Sequence, residues 1–385
     1  MKKIAVLGST GTIGVNTLEV VRRQKEKFKV VALACKENRK VLKEQIKEFS
    51  PSFVYTKKRD SSFEKNFKSV KFFYGDDLIK ISEVDADIFV FAIPGIESLK
   101  TFVECVKRGK TIALATKEIL VVGGFLVKSL VRKYKSKILP VDSEHNAIFQ
   151  IIKGEKKKDI KKIYITASGG PFYGKKIKNP AVKEVLSHPV WKMGKKITVD
   201  SATMMNKCFE IIEAHYLFSL PSEKIGVLIH PEAIVHGLIE FVDGTIKAVM
   251  FKPDMKIPIS YALNYPERKE TSFDLLDIEN MRNLTFKVPS ENEKFIKFAK
   301  KAIDVKGSYP VVLNAANELA VNLFLEGKIK FNEIIKIVEE IVKNHSFKKN
   351  INIQDVYRIT EEIKRNYECI YNRNQNHISS KINLL

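Results

Sequence analysis

Residues 3–14 read KIAVLGSTGTIG, and this stretch decides the fold. An apolar run ends at Gly8, and Gly11 and Gly14 follow at three-residue spacing, just as residues 12–27 take up helical periodicity. Glycines here let the backbone turn sharply and approach a pyrophosphate, which then rests on the helix N-terminus. The expectation is a strand–turn–helix nucleotide site using Gly8, Ser9, Thr10, Gly11, Thr12 and Ile13. The spacing is G-x-x-G-x-x-G rather than the common G-x-G-x-x-G. A basic start before an apolar run also fits a secretion signal, but no cleavage site follows, so the run reads as strand one.

Working outward, further apolar runs fall at 29–35, 53–56, 87–93, 111–116 and 137–141, with helical periodicity between most of them. Near-continuous apolar strands alternating with helices predict an α/β unit, a doubly wound parallel, Rossmann-like sheet over residues 1–142. Strand two ends Ala34-Cys35-Lys36, followed by Glu37, Asn38, Arg39 and Lys40. An NAD site usually carries an acid there for the ribose hydroxyls, whereas basic residues suit a 2′-phosphate. NADPH is therefore the expected cofactor, with Lys36 and Asn38 as contacts and Glu37 as the dissenting charge.

From 143 to 265 the pattern becomes α+β. It reads as a strand at 162–168, a loop GGPFYGKKIKNP, a strand KITV at 196–199, a helix over 201–218 and a hairpin turning at Asp243-Gly244. A polar linker occupies 266–292. Helical periods at 292–304, 310–326, 331–345 and 353–370 predict a C-terminal helical bundle over 293–371, and 372–385 reads as a frayed tail.

Composition bounds the function. A chain of 385 residues is too long for one ordinary core, and 44% hydrophobic content excludes bulk disorder. No apolar run approaches the ~20 residues that cross a bilayer, so no membrane partner is expected. Cys35, Cys105, Cys208 and Cys369 lie far apart in no metal-like spacing, which fits a reducing cytoplasm. The net charge of +22 raises nucleic-acid binding, but the lysines are spread along the chain and no recognition motif accompanies them. An anionic substrate accounts for part of the charge, and nucleic acid is not an expected partner.

Residues 139–150 read LPVDSEHNAIFQ, placing Asp142 and Glu144 where a buried strand ends. Two apart in extended chain, they share a side, beyond the carboxyl end of a strand where open α/β sheets bind ligands. With Glu210 from DSATMMNKCFEIIE (200–213) they make an all-oxygen site suited to Mg2+ or Mn2+. His145 reads as an orienting residue rather than a ligand. Ser201, Asn206 and Lys207 cluster in the first turns of the helix expected there, a good place for a phosphate. Asn206, Glu210 and Glu213 share one helical face. Glu213 by itself reads as part of a solvated face.

GSTGTIG, PVDSEHNAIFQ, TASGGPF, HPVWKMGKKITVDSATMMNKCFE and LNAANELAV, in that order over nearly the whole chain, resemble the 1-deoxy-D-xylulose 5-phosphate reductoisomerase family. The resemblance implies an NADP-binding domain, a central catalytic domain with a flap near 185–196, a helical C-terminal domain and a homodimer. It also implies conversion of a phosphorylated keto-sugar in the methylerythritol phosphate route to isoprenoids. Carried over by residue, it gives Asp142, Glu144 and Glu210 as metal ligands, and Lys117, Glu144 and His188 as catalytic residues. Substrate contacts are Ser143, Ser168, His188, Trp191, Ser201, Asn206, Lys207 and His236, with Met193 in the flap. Thr116, Glu118 and Gly194 join the cofactor set. Two motifs depart from the family: Ala115-Thr116-Lys117-Glu118-Ile119 replaces Ala-Asn-Lys-Glu-Ser, and Lys36-Glu37-Asn38 replaces Gly-Lys-Asn. The alternative is an NADP-dependent semialdehyde or homoserine-type dehydrogenase, whose acyl-transferring form would need Cys105 or Cys35 as nucleophile.

Overall fold

The computed structural model of the chain describes residues 1–175, 177–191, 193–281 and 283–382, with side chains as far as Tyr367. The first unit alternates β1 (Lys2–Leu7), α1 (Thr12–Arg23), β2 (Phe28–Cys35), α2 (Arg39–Phe49), β3 (Phe53–Thr56), α3 (Ser61–Glu64), β4 (Lys71–Tyr74), β5 (Ile88–Phe91), α4 (Leu99–Lys107), β6 (Thr111–Leu114), α5 (Glu118–Tyr134) and β7 (Lys137–Pro140). All seven strands are parallel, in the order β4-β3-β2-β1-β5-β6-β7. Ile4, Ala5, Val6 and Leu7 are wholly buried, as a strand covered by helices on both faces requires. The strand order reverses beside β1, which opens a crevice at the carboxyl ends of β1 and β5.

The glycine turn is dictated by close approach. Gly8 has φ +90°, and a Cβ there would lie 2.5 Å from the Ala92 carbonyl oxygen. At Gly14 a Cβ would meet the Gly8 carbonyl at 2.2 Å, so strand and helix touch backbone to backbone.

The second unit comprises α6 (Ser143–Ile152), β8 (Ile160–Ala167), α7 (Val182–Val185), α8 (Lys195–Ala202), α9 (Met205–Phe218), β9 (Ile225–Ile229), β10 (Val235–Phe241), β11 (Ile246–Met250) and α10 (Lys256–Asn264). Its sheet runs β11-β10-β8-β9, with β8 and β9 parallel. The expected hairpin forms, and Gly244 takes φ +87° in its turn. The segment after α10 lies against the first two units: Arg23 donates to the Ser272 carbonyl (2.8 Å) and Lys287 pairs with Ile229. The third unit packs α11 (Lys294–Val305), α12 (Tyr309–Leu325), α13 (Ile334–Asn344) and α14 (Ile353–Ile382) around α12. No helix among the described residues is long and apolar enough to cross a membrane.

Four local readings change. KITV, read as a strand, lies inside α8, because Gly194 caps the segment, Thr198 Oγ1 bonds back to the Gly194 carbonyl, and Lys196 pairs with Asp200 one turn on. The helix read from 201 to 218 is two helices, broken where Met204 takes φ +62°. Asp142 and Glu144 are not in extended chain: Asp142 is the N-cap of α6 and Glu144 lies in its first turn. The last helix continues to Ile382, past the 353–370 expected, through part of the segment read as a frayed tail. Residues 383–385 of that tail lie outside the described residues.

Candidate active site

Three chain ends converge on α9. After β6 come Thr116, Lys117 and Glu118; after β7 come Asp142, Ser143 and Glu144; after β8 come Ser168 and Gly169. α9 is apolar nearly all round, burying Met205, Cys208, Phe209, Ile211 and Ile212, and such a helix is an interior one. Its polar residues Lys207, Glu210 and Glu213 are therefore forced into the interior and must find partners.

They find them in each other. Carboxylate oxygens of Asp142, Glu144 and Glu210 lie within 4.8 Å of one another. Lys117 Nζ stands 2.7 Å from Asp142 and 3.1 Å from Glu210, and it donates to Asn206 Oδ1 at 2.8 Å. Lys207 Nζ donates to Glu144 Oε1 at 2.7 Å and also reaches Glu210 and the Thr166 carbonyl. Asn206 Nδ2 donates to Glu210 Oε1 at 2.6 Å. Burial works against the Lys117 ammonium, yet Asp142 and Glu210 hold it well above the ordinary lysine range. Burial and the neighbouring Glu210 push Glu144 up to about 7. Asp142 Oδ1 is buried without a hydrogen-bond partner. That oxygen faces His145 Nδ1 at 3.5 Å, and the three crowded carboxylates on the other side, an all-oxygen donor set, fit a hard divalent cation.

Behind the cluster, His145 Nε2 donates to the Glu210 carbonyl (2.9 Å), while Nδ1 faces Asp142 and Glu213, each at 3.5 Å. Burial opposes charge on His145, but Glu213 and Asp142 raise it to about 9. Glu213 is therefore not a solvated face residue; it is completely buried and itself pushed up to about 8 by burial. Sequence reasoning missed it, although the apolar residues flanking it on both sides were the signal.

A cavity of about 180 Å³ opens beside the cluster. Ser143, Ser168, His188, Trp191, Met193, Ser201, Asn206 and Lys207 all line it. The backbone amides of Val190 (3.2 Å) and Trp191 (2.9 Å) donate to His188 Nδ1, which fixes the tautomer. Its Nε2–H therefore donates to Ser168 Oγ at 3.1 Å, and burial keeps the ring neutral by lowering its pKa. His236 is not on the cavity wall. It lies 3.8 Å from the Phe251 ring and 6.1 Å from Trp191 between centroids, and its Nε2 donates to the Phe251 carbonyl. Met204, Met255 and Ile197 line the cavity and were not foreseen.

The cavity runs into the crevice of the parallel sheet, sharing Thr12, Ile13, Ala115, Lys117, Gly194, Ile197 and Asn206 with it. Gly8, Thr10, Gly11, Lys36, Thr116 and Glu118 line the crevice as expected. Two expected contacts do not line it. Ser9 is fully buried, and the Asn38 side chain caps α2 by accepting from Val41 N. Glu97, unforeseen, lies in the crevice with Lys57 at 2.9 Å and Lys36 at 3.9 Å.

A switch-point crevice feeding a buried carboxylate–lysine cavity fits a dinucleotide-dependent enzyme with a polar, anionic substrate. The comparisons narrow it. Residues 4–124 match the family model for 1-deoxy-D-xylulose 5-phosphate reductoisomerase, and residues 138–218 and 250–366 match the models of its C-terminal domains. The chain is 50% identical over 349 residues to the 1-deoxy-D-xylulose 5-phosphate reductoisomerase of Thermodesulfovibrio yellowstonii, covering 88% of this chain and 91% of that one. It is 49% identical over 346 residues to that of Sulfurihydrogenibium sp., covering 88% and 90%. A crystal structure of a reductoisomerase in complex with NADPH, fosmidomycin and magnesium superposes with TM-score 0.91 at 34% identity, over 97% of this chain and 98% of that one. The Zymomonas mobilis enzyme in complex with NADPH gives 0.87 at 36% identity, over 96% and 99%. The chain belongs to the 1-deoxy-D-xylulose 5-phosphate reductoisomerase family.

Proposed function

We propose that the protein isomerises 1-deoxy-D-xylulose 5-phosphate and reduces the product to 2-C-methyl-D-erythritol 4-phosphate, a step of non-mevalonate isoprenoid biosynthesis. The observation that carries this is the convergence of Asp142, Glu144 and Glu210 with Lys117 and Lys207 in a cavity continuous with the dinucleotide crevice. Asp142, Glu144 and Glu210 would hold Mg2+ or Mn2+, which would supply Lewis-acid stabilisation of charge on the sugar oxygens, and NADPH in the crevice would supply the hydride. Gly8, Thr10, Gly11, Thr12, Ile13, Lys36, Thr116, Glu118 and Gly194 form the cofactor wall.

The chain's own side chains do the rest. Lys117 stays protonated between its carboxylates and donates to the oxygen that gains charge. Ser168 and the His188 Nε2–H, with Ser201, Asn206 and Lys207, supply donors for the substrate phosphate. Ser143 orients the hydroxyl end. Trp191, backed by His236, closes the cavity and excludes water. The units over 1–142, 143–265 and 293–371 act as cofactor, catalytic and helical domains, and the enzyme works in the cytoplasm as a homodimer. The acyl-transferring form of the dehydrogenase alternative loses its nucleophile. Burial pushes the Cys105 thiol up to about 12, and Cys35 lies in the nucleotide crevice rather than the cavity.

The test is metal-dependent oxidation of NADPH with deoxyxylulose phosphate, with a semialdehyde, or with no substrate. Turnover with the sugar phosphate alone, abolished by chelation, is expected. Turnover with the semialdehyde instead would overturn the reading.

A further inference from the structure

Among the described residues, none beyond Met255 lines either the cavity or the crevice, so the helical third unit touches neither ligand site directly. It nevertheless reaches the site's surroundings, packing α12 on α8 and α5 and making one buried side-chain hydrogen bond to α8. Asn317, at the centre of α12 and completely buried, donates from Nδ2 to Asp200 Oδ1 at 2.7 Å. Asp200 is 2% exposed, and its other oxygen accepts from Lys196 Nζ at 2.7 Å. Lys196 in turn donates to Glu118 Oε1 at 3.2 Å, at the start of α5. This chain of contacts runs from the first unit through α8 to the third.

α8 has two working faces. Lys196 and Asp200, one turn apart, form the clamped face, and Glu118, Lys196 and Asp200 also line the cofactor crevice. Ile197 and Ser201, likewise one turn apart, line the substrate cavity. Gly194, the N-cap, touches both, and Trp191 and Met193 stand just before it. Whatever fixes the clamped face therefore fixes Ser201 and the root of the flap. A buried carboxylate has few tolerable orientations, because removing a partner leaves charge without compensation. Lys196 offsets one of two carboxylates, and the Asn317 amide satisfies Asp200 without adding charge.

We propose that Asn317 is a positioning residue for the reaction: by holding Asp200 it sets the register of α8, and with it Ser201 and the Trp191 flap. The proposal rests on the reductoisomerase reading, and the emission of Trp191, the single tryptophan of the sequence, gives it a readout separate from turnover.

Asn317→Leu keeps the volume and removes the donor. Misplacing a substrate-positioning group by about 1 Å costs on the order of 10²-fold, so kcat should fall by roughly tenfold to a hundredfold. The change in Trp191 emission on adding fosmidomycin with Mg2+ should shrink, with the melting transition still cooperative. The exchange Asp200→Asn with Asn317→Asp keeps both the hydrogen bond and the charge count. It should recover most of what Asn317→Asp alone loses, as coupled residues do in a double-mutant cycle. If Asn317→Leu fails to fold, the exchange decides by itself. A normal kcat and emission response in Asn317→Leu, or an exchange no better than the worse single variant, would overturn the proposal. A wild type that changes emission with fosmidomycin but does not turn over the sugar phosphate would instead overturn the functional reading.

Discussion

Lys117 Nζ stands 2.7 Å from Asp142 Oδ2, joining the end of β6 to the end of β7. Burial alone would push Asp142 up, yet Lys117 holds it well below the usual carboxylate range, so it remains an anion throughout the physiological range. An anion buried this deeply has cations as its natural partners, and the cluster as a whole sets Lys117, Lys207 and His145 against four acidic groups, Asp142, Glu144, Glu210 and Glu213.

Asp142→Ala should therefore lose divalent-metal binding, read directly by Mn2+ titration followed by electron spin resonance. Loss of an outer partner of a metal ligand costs about 10–100-fold in metal affinity or activity, and loss of the ligand itself should exceed that. NADPH binding, which uses the crevice, should survive. Full turnover of Asp142→Ala after exhaustive chelation would refute the metal assignment.

Cofactor choice follows from the end of β2. Lys36, which directly follows the strand, lines the crevice beside Glu97, with Glu37 next in the chain, while Arg39 is drawn away to the Lys58 carbonyl and the Phe63 ring. Lys57 pairs with the other oxygen of Glu97 at 2.9 Å, so two lysines offset that one carboxylate. A hydrogen bond from a charged group to the 2′-phosphate is worth roughly 1.5–3 kcal/mol, so a preference for NADPH over NADH of about tenfold or more is expected. Lys36→Ala should reduce it. Equal kcat/KM for the two cofactors would contradict this.

His236 gives the fold an acid-sensitive contribution. Burial lowers its pKa from 6.5 to about 4, against the pull of the Phe251 carbonyl. The unfolded chain then takes up a proton before the folded one as pH falls. The stability from keeping this ring neutral is complete above pH 6.5, is lost between 6.5 and about 4, and changes no further below that. At ~1.4 kcal/mol per pKa unit the swing is about 3 kcal/mol. Urea unfolding of His236→Gln should show a slope against pH flatter than wild type by about one proton in that window. Parallel slopes would mean that His236 does not titrate as described.

Much of this was legible in residues 3–14 and in the motifs around 142 and 206. Near-continuous apolar runs alternating with helical periods point to a parallel sheet, because its strands are buried on both faces. What was not legible was local conformation set by partners distant in sequence. Ile197, Thr198 and Val199 are β-branched and read as strand, yet Glu118 and Asn317, far away along the chain, tie Lys196 and Asp200 into a helix. The short strands β4 and β9 and the helix α10 were missed because each is defined by its neighbours rather than by its own period. Glu213 was read as solvated because a lone carboxylate carries no sign of burial until His145 and Asp142 are seen facing it.

Trp191 offers the most direct view of the site at work. It lies half-buried on the cavity wall, its ring edge-on to His236, and its backbone amide bonds to the same His188 that donates to Ser168. A ligand that displaces the His188–Ser168 contact must therefore disturb the segment carrying the indole. Gly169 and Gly170, both at positive φ, flank the facing loop. Closure of the indole over bound substrate would expel water and strengthen the electrostatics of Lys117 and the carboxylates. The indole emission should shift in wavelength or intensity when fosmidomycin and Mg2+ bind, and acrylamide should quench it less. Trp191→Ala should stay folded and lose turnover by roughly tenfold to a hundredfold, the size expected when a substrate-positioning group is lost. Trp191→Phe should recover part of it, because a smaller ring still covers the cavity. If emission and quenching are the same at saturating ligand as without it, the indole is fixed packing against His236 and not a lid.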